Sequence, residues 1–374
     1  MTSFEVPLDQ REIDDLRERL ARTRWPERET VDDWSQGLPL AYAEELCSHW
    51  ADGYDFGFAD RINAFPQART DIDGLGIHFV HARSPEPDAL PLVLTHGWPG
   101  SIVEFLDVLG PLSDPRAHGG DPADAFHVVA PSLPGYGWSD RPTREGWKVP
   151  RIARAWDELM HALGYERYGA QGGDWGAGVT TTMGQQQPTG LVGIHLNMAV
   201  AMPDPATIGD LTPVEQRALD DITFHLKHGT GYSTQQSTRP QTLGYGLNDS
   251  PAGLCAWIAE KFWAWTDCDG HPEHALTKEQ MLDDISVYWF TQTATSSARL
   301  YWESFNSSHA DEVQVPTGIS VYPREIIRPS RRWAERRFTD LRWYEELDKG
   351  GHFAAFEQPA SFVEQVRGFF RTVR

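Results

Sequence analysis

The pentapeptide Gly172-Gly173-Asp174-Trp175-Gly176 has the form G-x-Nu-x-G, in which small residues permit a tight strand-to-helix turn that projects the middle side chain outward. Here that side chain is a carboxylate. A serine in its place would add to a carbonyl and leave an acyl-enzyme. An aspartate instead attacks a saturated carbon that bears a leaving group, and the ester carbonyl so formed belongs to the protein itself. Water releases that ester only if a base and an oxyanion hole stand nearby. Epoxides and alkyl halides are the electrophiles this chemistry suits.

The base must lie elsewhere in the chain. Gly350-Gly351-His352-Phe353 places one of fourteen histidines in a glycine-flanked loop, followed by Glu357-Gln358-Pro359 and an amphipathic stretch. The chain order nucleophile, acid, histidine singles out His352. Glu325, just past the apolar run Gly318 to Tyr322, is the acid expected to hold the imidazole in the correct tautomer, with Asp311, Glu312 and Asp348 as alternatives. His96-Gly97-Trp98-Pro99-Gly100 follows the apolar run Leu92 to Thr95 and matches a loop that supplies one backbone N–H to an oxyanion hole. Trp98 would donate it, and Trp175, the residue after the nucleophile, would donate the second. His96 itself is expected to satisfy the loop rather than act as a base.

These groups need a scaffold that brings distant loops together. From about Gly74 short apolar runs alternate with helical patterns, as a mostly parallel sheet covered on both faces requires. Ile77 to Val80, Leu92 to Thr95, Phe126 to Ala130, Tyr168 to Gln171 and the run from Leu191 to Val200 read as strands. Gly318 to Tyr322 and Leu341 to Tyr344 return to the sheet, and Phe362 to Phe370 reads as a closing helix. Between Pro203 and Val313 strand signals thin out, and Leu254, Trp257, Ile258, Phe262 and Trp265 share one helical face behind the Ser250-Pro251 cap. This segment is expected to form a lid. The first seventy residues are polar and helix-rich, with Ile13, Leu16, Leu20 and Trp25 as an apolar stripe. The fold class is therefore α/β: an α/β-hydrolase fold, a mostly parallel sheet flanked by helices, with an inserted helical lid and an N-terminal meander. The divisions are residues 1–73 for the meander, 74–202 and 314–374 for the two parts of the core, and 203–313 for the lid.

Composition narrows the partners. A formal net charge of −21 on 374 residues repels phosphate backbones and anionic membranes, so nucleic acid is excluded. Cys47, Cys255 and Cys268 fit no zinc or redox spacing. No metal or cofactor is expected. The chain opens on a charged amphipathic stretch, with no signal peptide and no apolar run long enough to span a bilayer, so a cytoplasmic enzyme without a membrane anchor is expected. Fifteen Trp and seventeen Phe, many of them in the lid, are the basis for expecting an aryl or bulky apolar substrate.

Taken together, these motifs resemble the epoxide hydrolases of the α/β-hydrolase fold, and within them the branch of the microsomal and juvenile-hormone enzymes. The resemblance covers nearly the whole chain. It includes Phe4 to Pro26, the three motifs around Trp98, Asp174 and His352, and the lid stretch Leu243-Gly244-Tyr245-Gly246-Leu247-Asn248-Asp249-Ser250-Pro251. What it implies is hydrolysis of an epoxide to a vicinal diol through a covalent aspartyl ester, without cofactor. It further implies two lid tyrosines that hydrogen-bond the epoxide oxygen, falling by their surroundings on Tyr232 and Tyr301, with Tyr245 a competitor for the first. Neutral phenols are suited to an oxygen that develops alkoxide charge. The chain lacks the membrane anchor of the microsomal branch, so a soluble bacterial-type relative is implied. A small-molecule epoxide is the partner, and a homodimer is the one assembly considered.

Two rival readings differ in chemistry. A haloalkane dehalogenase also carries Asp in the elbow, but that family typically places a halide-binding residue where this chain has Trp98 and lacks the paired tyrosines. A binding protein on the same fold would be expected to have lost part of the constellation, and here every member is present. No G-x-S-x-G occurs in the chain, which argues against a serine esterase.

Overall fold

Strands rich in apolar residues at successive positions must be covered on both faces, and they set the centre of this molecule. The computed structural model describes residues 1–305 and 311–374. Its strands are β1 (Thr2–Phe4), β2 (Gln67–Ile72), β3 (Leu75–Ala82), β4 (Leu90–Thr95), β5 (Phe126–Pro131), β6 (Tyr168–Gly172), β7 (Leu191–Leu196), β8 (Thr317–Val321) and β9 (Leu341–Glu346). They form one sheet in the order β1-β2-β3-β5-β4-β6-β7-β8-β9. Pairing is antiparallel from β1 to β5 and parallel from β5 through β4 to β9. β6 and β8 are buried at every position, as their short apolar sequences require. This is the α/β-hydrolase fold expected from the sequence.

The sheet begins earlier than the sequence pattern indicates. β1 and β2 lie within the segment read as a helical wrapper. β2 reads Gln-Ala-Arg-Thr-Asp-Ile, with a mostly half-buried face, and so carries little apolar alternation to announce it. The expected stripe Ile13, Leu16 and Leu20 is buried on helix Gln10–Ala21, which Asp9 caps by accepting from the Arg11 N–H. Trp25 lies past the end of that helix.

Among the described residues six helices of eight or more residues lie between β7 and β8: Pro213–Phe224, Gly231–Thr238, Pro240–Asp249, Pro251–Trp265, Lys278–Thr291 and Ala294–Ser304. Ser250 caps the fourth by accepting from the Gly253 N–H at 3.0 Å. Leu254, Ile258, Phe262 and Trp265 are buried along it, each worth roughly 1.5–3 kcal/mol of transfer free energy. The N-terminal segment holds this layer in place. The Trp50 indole N–H donates to Ser286 Oγ at 3.0 Å, Tyr54 OH donates to Asp283 Oδ1 at 2.6 Å, and Trp34 stacks on Trp263 with centroids 5.0 Å apart. Among the described residues no helix is long and apolar enough to cross a membrane.

Candidate active site

Parallel strands deliver their following loops to one edge of the sheet, and four of those loops carry the residues singled out by the sequence. Thr95 at the end of β4 is in register with Gly172 at the end of β6. The His96–Gly100 loop and the Asp174 turn therefore leave the sheet side by side. Asp174 opens helix Asp174–Gln186 at φ 48°, in the left-handed region, a strained geometry typical of functional turns. Gly176 has no room for a side chain, because a Cβ there would collide with the Thr95 carbonyl.

The pieces meet around the Asp174 carboxylate. The Trp98 N–H donates to its Oδ1 at 2.8 Å. His352 Nε2 lies 3.4 Å from Oδ2, and His352 Nδ1 donates to Glu325 Oε1 at 2.7 Å. The Glu325 side chain is fully buried, that of His352 is 3 % exposed and that of Asp174 is 16 % exposed, so of the three Asp174 has the most access to open space. The alternatives to Glu325 are not buried in this cluster: Asp311, Glu312 and Asp348 are all exposed. The Trp175 N–H sits in the first helical turn, where no intrahelical acceptor exists. His96 is engaged structurally: its Nε2 accepts from the Leu133 N–H at 3.1 Å, which leaves Nδ1–H to donate to the Gly97 carbonyl at 2.9 Å.

Electrostatics set the resting charge of His352. Burial opposes its ionisation, but the Glu325 carboxylate and then Asp174 outweigh it and hold the imidazole well above the ordinary histidine range. The loop that carries it is fastened to the lid. His352 N–H donates to the Trp265 carbonyl at 2.9 Å. The Glu357 carboxylate accepts from the Asp267 and Phe353 N–H groups at 2.8 and 3.0 Å. Burial pushes Glu357 up to about 7.

Tyr232 and Tyr301 descend from the lid onto the same point. Tyr232 stacks on Trp98 with centroids 5.0 Å apart and an interplanar angle of 9°. Tyr301 meets Trp175 edge-on at 4.8 Å and Tyr232 edge-on at 5.8 Å. Burial raises both phenols above the ordinary tyrosine range, so both stay neutral. Tyr245, the competitor, is 72 % exposed.

A cavity of ≈ 320 Å³ runs from Asp174, Trp175 and the two tyrosines toward the surface. Away from that point its aliphatic side chains, Val149, Met198, Val200, Ile222, Leu226 and Ile326, outnumber the aromatic ones, Phe305 and His225, and Arg337 adds a charged group. The lid tryptophans expected to line it mostly pack elsewhere. Trp263 covers Trp34, Trp289 meets Trp50, Trp302 is exposed, and Trp265 lies against His352. A second cavity, of ≈ 20 Å³, is bordered by Asp174, His352, Asn197 and Glu104. About 10–15 Å³ is enough for one ordered water. Burial, then Asp284, pushes the Glu104 carboxyl well above the ordinary carboxylate range. Gly100 makes room for it, since a Cβ there would collide with that carboxyl. The sequence reading missed Glu104, and its only signal is an acid four residues beyond the last glycine of the Trp98 loop.

Known proteins share this architecture. Residues 1–105 match the family described as the epoxide hydrolase N terminus, and residues 91–224 match the alpha/beta hydrolase fold family. A provisionally named epoxide hydrolase of Stigmatella aurantiaca is 54 % identical over 376 residues, covering 100 % of this chain and 86 % of its own. Epoxide hydrolase 1 of Sus scrofa is 35 % identical over 98 % of this chain and 87 % of its own. The crystal structure of juvenile hormone epoxide hydrolase from Bombyx mori superposes with a TM-score of 0.90 at 32 % identity, over 100 % of this chain and 94 % of that one. With full-length likeness in both sequence and fold, the chain belongs to the epoxide hydrolase family.

Proposed function

We propose that this epoxide hydrolase forms its diol through an ester on Asp174. Oδ1 is already held by the Trp98 N–H, so Oδ2 is the oxygen left to attack. As the new C–O bond forms, the ring C–O bond breaks toward Tyr232 and Tyr301, and one phenol gives its proton to the leaving oxygen. Asp174 loses its negative charge in this step, and with it one of the two carboxylates that keep His352 protonated. The imidazole then gives up its proton, which goes to restore the phenol, and becomes a base. It deprotonates a water that attacks the ester carbonyl, while the Trp98 and Trp175 N–H groups receive the oxyanion. Collapse breaks the ester C–O bond, His352 gives the proton it took from water to the departing alkoxide, and the proton left on the Asp174 carboxyl then passes to His352 and restores the resting charges. The second cavity fits the water's position, with a neutral Glu104 as its other partner.

The observation that carries this reading is the convergence of Asp174 and two neutral phenols on the wall of one apolar cavity, with His352 against the same carboxylate. Walls in which aliphatic side chains outnumber aromatic ones favour a bulky aliphatic epoxide over an aryl one. Residues 203–313 serve as the lid, since they supply both phenols. A cytoplasmic location accords with the lack of any membrane-crossing helix among the described residues.

The test is a single turnover in heavy-oxygen water with enzyme in excess. The first diol should be largely unlabelled and the label should appear on the Asp174 peptide. Labelled diol from the first turnover, with unlabelled enzyme, would mean direct attack by water and would sink the ester.

A further inference from the structure

Lys261 is a lysine that the sequence gives no reason to notice. It lies on helix Pro251–Trp265, it is 6 % exposed, and its ammonium pairs with Glu260. A buried ammonium is costly unless its surroundings compensate it. Here aromatic faces contribute: Nζ stands 4.5 Å from the ring centre of Tyr232 and 5.5 Å from that of Trp265. Both rings belong to the site, because Tyr232 also stacks on Trp98 and Trp265 packs against His352 at 5.0 Å. The other phenol is placed differently. Tyr301 is surrounded by Trp98, Trp175, Tyr232 and Phe305, and among the described residues no cation lies over its ring.

We propose that Lys261 is a positioning residue that makes Tyr232, rather than Tyr301, the stronger donor to the opening epoxide oxygen. The proposal rests on the reading of the two phenols given above. A cation over an aromatic face is attracted by the ring's negative π surface. That attraction grows as the phenol proton moves toward the substrate, because negative charge then accumulates in the ring. Lys261 therefore gains more in the transition state than in the resting enzyme, which is the condition for an interaction to raise the rate. Tyr301 then holds the same oxygen by a hydrogen bond without giving up its proton.

The experiment is a double-mutant cycle on the single-turnover rate of Asp174 alkylation. Lys261→Met keeps the length and apolar stem of the side chain and removes the charge, and methionine suits a buried site. It should slow alkylation about tenfold, equivalent to about 1.4 kcal/mol. Lys261→Arg should restore most of the rate. In a Tyr301→Phe background Lys261→Met should keep its full effect, whereas in Tyr232→Phe it should have almost none. Ester hydrolysis should be unchanged by the Lys261 substitutions in the enzyme that keeps both tyrosines. An equal effect of Lys261→Met in the Tyr232→Phe and wild-type enzymes overturns the proposal, as does an arginine variant as slow as the methionine one. If both single phenylalanine variants instead alkylate at the wild-type rate, the reading of the phenols fails, a result distinct from failure of the lysine's role alone.

Discussion

Glu325→Gln removes a charge beside His352 while leaving an acceptor of the same size for its Nδ1–H. The wild-type contact is 2.7 Å between atoms, with both side chains almost wholly buried. At about 4 Å between charge centres and an effective dielectric of about 20, the carboxylate favours an imidazolium by roughly 4 kcal/mol. A neutral hydrogen bond from glutamine keeps about 1 kcal/mol of this. The remaining ~3 kcal/mol corresponds to a loss of about a hundredfold in a step whose transition state develops an imidazolium from a neutral imidazole. That step is ester hydrolysis, in which His352 gains a proton from water; ring opening gains nothing from it. Rapid-quench mass spectrometry should therefore show ring opening within about threefold of wild type, and a protein adduct equal in mass to the substrate should accumulate before slow turnover. The pH profile has a defined sign. His352 is held above its ordinary range, so removing the carboxylate lowers its pKa, and the rise of the hydrolysis rate with pH should move to lower pH. Equal slowing of both steps, or turnover without an accumulating adduct, would refute the division of labour between Asp174 and His352.

Two further outcomes follow from the same geometry. Because burial holds Glu104 neutral, Glu104→Gln should hydrolyse the ester almost normally, whereas Glu104→Met should slow that step about tenfold with ring opening intact; a methionine variant with wild-type hydrolysis in pre-steady-state kinetics would remove Glu104 from the water site. The aliphatic walls of the large cavity predict that branched or long-chain aliphatic epoxides have higher kcat/KM than styrene oxide, and a panel in which aryl epoxides turned over faster would contradict it.

How much of this was visible beforehand differs residue by residue. The elbow around Asp174 was legible because the turn itself demands glycines at fixed offsets, and Gly176 shows why: the Thr95 carbonyl occupies the space of its side chain. The core strands were legible because burial on both faces forces continuous apolar runs. β2 was not, because an antiparallel strand near the sheet edge has half-buried positions and its polar sequence satisfies them. The tyrosines came from resemblance alone, since nothing local separates Tyr232 from the 72 % exposed Tyr245.

The sequence by itself determined the chemistry available: a carboxylate in place of a serine at an elbow, a histidine in a glycine loop, and an order along the chain that suits one fold. These are local facts, set by side-chain type and by backbone turns a few residues long. Tertiary structure alone decided what surrounds them. It selected Glu325 over three other acids by burying it against His352 and leaving them exposed, turned most lid tryptophans away from the cavity, buried Glu104 beside the small cavity and brought Lys261 to the site from a distant helix. Burial, and the dielectric and charge environment that come with it, depend on contacts between segments far apart in the chain, and no local pattern of residues encodes them.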